Sequence, residues 1–208
     1  PETALRSGKV LRISVTDRCD LRCIYCMPES GVTLVPMADM LSYEEIATVA
    51  RAALAVGVRR FRLTGGEPLA RRGIAALVRL LAGLGPDDLA LTTNGTHLAD
   101  IAADLKAAGL ARVTVSLDTL RPDRFVKITR RTGLDRIFAG LEAARSAGLA
   151  PLKVNTVVIR GVNDDEISDF VRFADREGVE LRFIELMPTS GFSPECKELG
   201  AWRPSLFV

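Results

Sequence analysis

Cysteine is scarce in this chain. Four stand among 208 residues, too few and too unevenly placed for the paired disulfide framework of a small secreted domain. Histidine is scarcer still. His97 is the only one; it opens a helical pattern with no partner in view and reads as a surface residue rather than a general base. No apolar run is long enough to cross a bilayer. No charged-then-apolar leader opens the sequence, so the expected location is cytoplasmic. Low-complexity segments and charge blocks are absent. The net charge of +2 excludes a general affinity for nucleic acid or membrane, so any anion site must be local. With 48% hydrophobic residues the chain can build one sizeable core.

What is present is alternation. Short β-rich runs recur: LRISVT (Leu11–Thr16), RFRLT (Arg60–Thr64), LALTTN (Leu89–Asn94), RVTVSLD (Arg112–Asp118), LKVNTVVI (Leu152–Ile159) and ELRFIELM (Glu180–Met187). Helical stripes separate them, with Ile46, Val49, Ala50, Ala53 and Leu54 on one and Ile74, Leu77, Val78 and Leu81 on another. Ile167, Phe170, Val171 and Ala174 form a third. Ser42–Glu45 and Asn163–Glu166 have the spacing of capping boxes, and Gly57, Gly109 and Gly148 follow helices where a left-handed cap suits glycine. Six strand–helix units predict a parallel α/β sheet with helices outside.

Each strand has one apolar and one polar face. Arg12, Ser14 and Thr16 alternate with Leu11, Ile13 and Val15, and Lys153 and Asn155 alternate with Leu152 and Val154. A doubly wound sheet buries both faces. A barrel wall with a polar lumen open at the C-terminal mouth accounts for the pattern better. The expectation is a partial (β/α)6 TIM-like barrel over residues 1–188, followed by a tail of different composition, 189–208. In the sixth strand Arg182 and Glu185 have opposite parity, and the sequence leaves open which faces inward.

Three of the four cysteines crowd into CDLRCIYC, just after the first strand: Cys19, Cys23 and Cys26. A structural zinc site wants four protein ligands. Three thiolates in one loop leave a coordination position open, and thiolates are the usual ligands of iron–sulfur clusters. Cys196 is remote and reads as an incidental thiol. Zinc remains the alternative metal.

This C-x3-C-x2-C loop resembles that of the radical S-adenosylmethionine superfamily, and TGGEP (Thr64–Pro68) resembles its glycine-rich motif. The resemblance implies that Cys19, Cys23 and Cys26 hold a 4Fe–4S cluster at which S-adenosylmethionine is bound and reductively cleaved. Longer stretches are similar to the GTP 3′,8-cyclase family of molybdenum cofactor biosynthesis: LRISVTDRCDLRCIYCMPESGV, RLTGGEPL, LTTNG, VSLDTL, KVNTVVIRGVND and LRFIELMP. That likeness implies Tyr25, Gly66, Ser116 and Met187 as contacts to S-adenosylmethionine, and Arg12, Arg62, Thr92 and Lys153 as contacts to GTP.

The residues themselves make sense of an anionic substrate. Cations on the polar faces of three strands are costly unless an anion neutralises them, and arginine forks suit phosphate oxygens. The alternatives for these cations are pairing with Asp118 and Glu185, or pointing outward as snorkelling side chains. Arg60 is open between the two roles, Arg182 is a weaker phosphate candidate, and Arg71 and Arg72 read as solvated. GTP and an electron donor are the expected partners, and a homodimer is an allowed assembly. The family continues past its sixth strand into a segment with three more cysteines for a second cluster; residues 189–208 do not match it. The expectation is therefore one cluster and cofactor cleavage, with GTP cyclisation incomplete in this stretch alone. Another radical S-adenosylmethionine activity, for instance on a peptide, and a non-catalytic metal- or nucleotide-binding fragment are the other readings.

Overall fold

A computed structural model describes residues 9–186 of the protein. Its strands are β1 (Val10–Ser14), β2 (Arg60–Thr64), β3 (Asp88–Thr93), β4 (Arg112–Ser116), β5 (Lys153–Val158) and β6 (Glu180–Glu185). Its helices are α1 (Tyr43–Ala55), α2 (Ile74–Ala82), α3 (Leu98–Ala107), α4 (Pro122–Thr129), α5 (Leu134–Ser146) and α6 (Ile167–Glu177). The six strands follow one another in the sheet in chain order. A doubly wound sheet reverses direction at a switch point; this order never reverses. Right-handed crossovers that all step the same way put their helices on one side of the sheet. The six-stranded parallel α/β architecture expected from the alternation is the one observed. Among the described residues no helix is long and apolar enough to cross a membrane.

Contacts divide the chain into two compact units. The first takes in the N-terminal strand through Asp20, then Leu34–Ser116 and Asp135–Lys153. The second takes in Leu21–Thr33, Leu117–Leu134 and, among the described residues, 154–186. The expected boundary after residue 188 lies outside the described residues.

In the first unit the apolar strand faces meet the helix stripes. Phe61, Leu63, Leu91, Val113 and Val115 are buried together with Leu77, Leu81, Leu98, Leu105 and Ile137. Ser42 caps α1 with the full reciprocal box: its hydroxyl accepts from Glu45 N, and the Glu45 carboxylate accepts from Ser42 N. Gly57, Gly109 and Gly148 all take positive φ, as expected of helix caps. Arg71 departs from its expected solvated role. Its guanidinium donates to Val15 O and Leu41 O, each at 2.7 Å, and stacks over the Tyr43 ring at 4.5 Å. Arg72 is exposed as expected.

The second unit has its own core of Leu117, Phe125, Ile128, Val154, Phe170 and Phe173. Here the second expected capping box fails. Asn163 makes no cap hydrogen bond; its amide donates to Asp118 O and Val157 O, and its Oδ1 accepts from Ile159 N. Glu166 is fully buried and accepts from Thr119 Oγ1 at 2.6 Å, Leu120 N at 2.8 Å and Arg124 Nη1 at 2.6 Å. A buried carboxylate that finds three donors is held where it is. The parity question in β6 also resolves. Phe183 stands edge-on to Phe170 of α6, with ring centroids 6.5 Å apart. Leu181, Phe183 and Glu185 therefore face α6, and Arg182 takes the opposite face, where it pairs with Glu180.

Candidate active site

The C-terminal ends of β1, β2 and β3 carry the cysteine loop, TGGEP and TTNG in turn. Parallel pairing places these three turns at one edge of the sheet. They are tied backbone to backbone. Gly66 N donates to Thr16 O at 2.6 Å and Glu67 N to Arg18 O at 2.7 Å. A Cβ on Gly65, whose φ is +153°, would stand 2.5 Å from Thr16 O, and one on Gly66 would overlap Arg18 O. The glycines are required for this approach. The Gly66 and Glu67 amides are thus already engaged by the loop that leads into Cys19 and are not open to a ligand.

Glu67 fastens the third turn. Its Oε1 accepts from Leu69 N at 2.9 Å and Thr93 Oγ1 at 2.7 Å, and its Oε2 from Asn94 N at 2.6 Å. Burial pushes its carboxyl up to about 7, against the pull of these donors. The Asn94 amide then reaches the cysteine loop, donating to Asp20 Oδ1 at 2.7 Å and approaching Cys19 Sγ at 3.9 Å. Thr96 Oγ1 donates to Asp20 Oδ2 at 2.6 Å. His97 has a partner that the sequence did not reveal: its Nε2 is 3.5 Å from Asp20 Oδ2, although the imidazole remains half-exposed.

The rest of the cysteine loop belongs to the second unit. Arg22 N donates to Thr129 O and Ile24 N to Ile128 O, both at 2.9 Å, which lays the loop along the end of α4. A turn follows in which Cys26 N and Met27 N both donate to Cys23 O. The Cys23 thiol lowers the pKa of Cys26 by hydrogen bonding, against the effects of burial and of Asp118. Between them Tyr25 donates its hydroxyl to Asp118 Oδ2 at 2.5 Å, while Asp118 Oδ1 accepts from Val157 N at 2.8 Å. Burial raises Asp118 to about 6 despite both donors. Burial first, then the Asp118 charge, raises Tyr25 well above an ordinary phenol, so the phenol is the proton donor. Asp118 therefore serves Tyr25 rather than the strand cations.

The expected phosphate ligands lie on the polar strand face. Arg12 and Arg62 are register partners on β1 and β2. Arg12 is exposed and Arg62 half-buried. Like charges directly opposite one another on a sheet face are destabilising. Arg112, on the same face of β4, is held by the Asp88 carboxylate. Thr92 is paired in register with Thr114, Ser116 ends β4 half-buried, and Lys153 is buried at the start of β5. Arg60 is exposed. On β5, Asn155 Oδ1 is buried with no hydrogen-bond partner among the described residues. An orphaned acceptor of this kind costs about 1–3 kcal/mol. Met187 and Cys196 lie outside the described residues.

The donor set suits an iron–sulfur cluster. None of the three loop cysteines is in a disulfide, and soft thiolates select such clusters. Sequence reasoning missed Asp20, Asn94 and the role of Glu67. The motifs TGGEP and LTTNG contain two of them, but only the strand pairing shows that the two turns meet.

Residues 13–174 match the model of the radical SAM superfamily, whose members use a 4Fe–4S cluster and S-adenosylmethionine. The chain is 53% identical over 188 residues to a GTP 3′,8-cyclase of Moorella thermoacetica, covering 90% of this chain and 58% of that protein. It is 46% identical over 205 residues to a GTP 3′,8-cyclase of Thermodesulfovibrio yellowstonii, covering 98% and 61%. It thus spans about three-fifths of the length of these curated relatives. Among solved structures, Streptococcus suis SuiB bound to S-adenosylmethionine superposes with a TM-score of 0.69 at 19% identity, covering 88% of this chain and 42% of that one. Methylornithine synthase superposes with a TM-score of 0.67 at 18% identity, covering 88% and 55%. Such neighbours are partial TIM barrels, the fold class expected from the strand pattern. The family model, the cysteine loop and the strand order agree: the chain belongs to the radical SAM superfamily.

Proposed function

We propose that the chain is the cluster- and cofactor-binding part of a GTP 3′,8-cyclase, a cytoplasmic lyase acting in molybdenum cofactor biosynthesis. The observation that carries this reading is the Arg12–Arg62 pair, abreast on one sheet face, a receptor for the phosphates of a nucleotide. Cys19, Cys23 and Cys26 would hold the cluster, which supplies the electron that cleaves S-adenosylmethionine. Tyr25, Gly66 and Ser116, with Met187 beyond the described residues, would contact S-adenosylmethionine. Arg12, Arg62, Thr92 and Lys153 would contact GTP.

Each residue has a task within reach of its own chemistry. The arginine forks bind phosphate oxygens, and the buried Lys153 adds a point charge to the same anion. Thr92 offers a hydroxyl beside them. Tyr25, clamped by Asp118, presents a fixed aromatic face. Gly66 leaves its carbonyl for an ammonium group, since its amide is occupied by Thr16. Fixing the nucleotide and the cofactor in one orientation is the protein's main contribution to rate. An electron donor is required, and a homodimer is compatible with the reading.

The test is equilibrium binding to the full-length protein, reconstituted anaerobically with iron and sulfide. Arg12→Ala and Arg62→Ala should each weaken GTP binding at least about tenfold, the loss of one charge-assisted hydrogen-bonding group. They should leave affinity for S-adenosylmethionine and for guanosine unchanged, and Arg60→Ala should be neutral. GTP affinity unaffected by both variants, or a peptide that competes where GTP does not, would overturn the assignment.

A further inference from the structure

We infer that Asn94 tunes the cluster: its side-chain amide donates an N–H···S hydrogen bond to the Cys19 sulfur and raises the reduction potential at which the cluster accepts an electron. This inference rests on the proposed cluster site.

The amide has only one orientation open to it. Asn94 Oδ1 accepts from Thr96 N at 3.0 Å, so the NH2 group must point the other way. There it meets two acceptors, Asp20 Oδ1 at 2.7 Å and Cys19 Sγ at 3.9 Å. The backbone of Asn94 is also immobilised, because its N–H is held by the buried Glu67 carboxylate. The donor is pre-positioned before any cluster binds. It stands where two anions meet, since Asp20 Oδ1 lies 4.0 Å from Cys19 Sγ. Reduction adds one more negative charge to the thiolate-bound iron. A donor aimed at the sulfur stabilises that charge, and hydrogen bonds to the sulfurs are among the factors that set cluster potentials. Asn94 is thus a positioning residue that acts through Cys19, not a catalytic one.

The experiment is a redox titration, followed by electron paramagnetic resonance, of the full-length reconstituted protein. Wild type, Asn94→Leu, Asn94→Asp and Thr96→Val are compared, with iron counted in each. Asn94→Leu should lower the reduced-to-oxidised ratio at a fixed potential by about tenfold, a shift of about 59 mV for one electron. Asn94→Asp, which turns a carboxylate oxygen on the same sulfur, should lower it further. Thr96→Val removes the hydroxyl contacts to Asp20 Oδ2 and Asn94 Oδ1 but keeps the Thr96 N–H that orients the amide, and should shift it less than Asn94→Leu. Unchanged potentials in both Asn94 variants at full iron content would overturn the inference and leave the cluster site standing. Wild-type protein that takes up no cluster would instead sink the functional reading beneath it. Where a variant loses its iron, the wild-type cluster decides by electron–nuclear double resonance: a strongly coupled exchangeable deuteron in D2O, together with a coupled nitrogen in protein labelled selectively with 15N-asparagine, supports the bond, and the absence of either refutes it.

Discussion

Tyr25 and Asp118 are 93 residues apart in sequence and joined by a 2.5 Å hydrogen bond. The same carboxylate holds Val157 N, so one side chain anchors the tyrosine of the cysteine loop to the C-terminal part of β5. Asp118→Ala leaves two buried donors without an acceptor and should cost about 2–3 kcal/mol. Tyr25→Phe should cost about 1 kcal/mol. Because the two act as one contact, the double variant should fall short of the sum by about 1 kcal/mol. Urea denaturation of the cluster-free protein measures all three, and strict additivity would show the bond to be energetically idle.

Buried and exposed carboxylates side by side allow a sharper comparison. Glu166 is fully buried with three donors, while its neighbour Asp165 is exposed on the same arginine, Arg124. Glu166→Ala should destabilise by about 3–5 kcal/mol, because it strands Arg124, Thr119 and Leu120 N without their acceptor. Asp165→Ala should be barely detectable. Equal effects at the two positions would mean that Arg124, rather than burial, dominates.

Glu67 makes stability depend on pH. Its folded carboxyl is raised from 4.5 to about 7. The folded state then binds the proton more tightly than the unfolded state. The stabilisation is complete below about pH 4.5 and is lost as pH rises through about 7. The contribution is about 3 kcal/mol across that window. Denaturation midpoints at pH 5 and pH 8 should show the decline in wild type and a flatter profile in Glu67→Gln. The same slope in both would assign it to other groups.

Gly66→Ala places a methyl group against a backbone carbonyl that cannot move aside without dragging the Cys19 loop. It should cost about 2 kcal/mol or more in stability and lower the iron content after reconstitution. Normal stability with normal iron would mean that the turn relaxes freely.

Much of this was legible in the residues. The period-two alternation of RFRLT gave β2 with its exact ends, and the cysteine spacing marked the loop. What failed did so for one reason. Asn163 and Glu166 fit a local capping pattern, but their partners lie up to 47 residues away. Arg71 looked like a solvated charge because the carbonyls it binds, on Val15 and Leu41, carry no side-chain signature. Asp20 and Asn94 became meaningful only once β1, β2 and β3 were seen in register. Side-chain type announces local chemistry; long-range pairing decides whether that chemistry is spent on structure or left for a ligand.

The bonds between the TGGEP turn and residues 16–18 run through main-chain atoms alone. The side chains of Asp17 and Arg18 turn instead to the next loop, where Asp17 Oδ2 accepts from Val35 N at 2.6 Å and Arg18 donates to Val35 O at 3.4 Å, whereas the glycines opposite admit no substitute. For protein engineers, a change at Asp17 or Arg18 loosens the loop at Val35, while a change at either glycine breaks the seam itself.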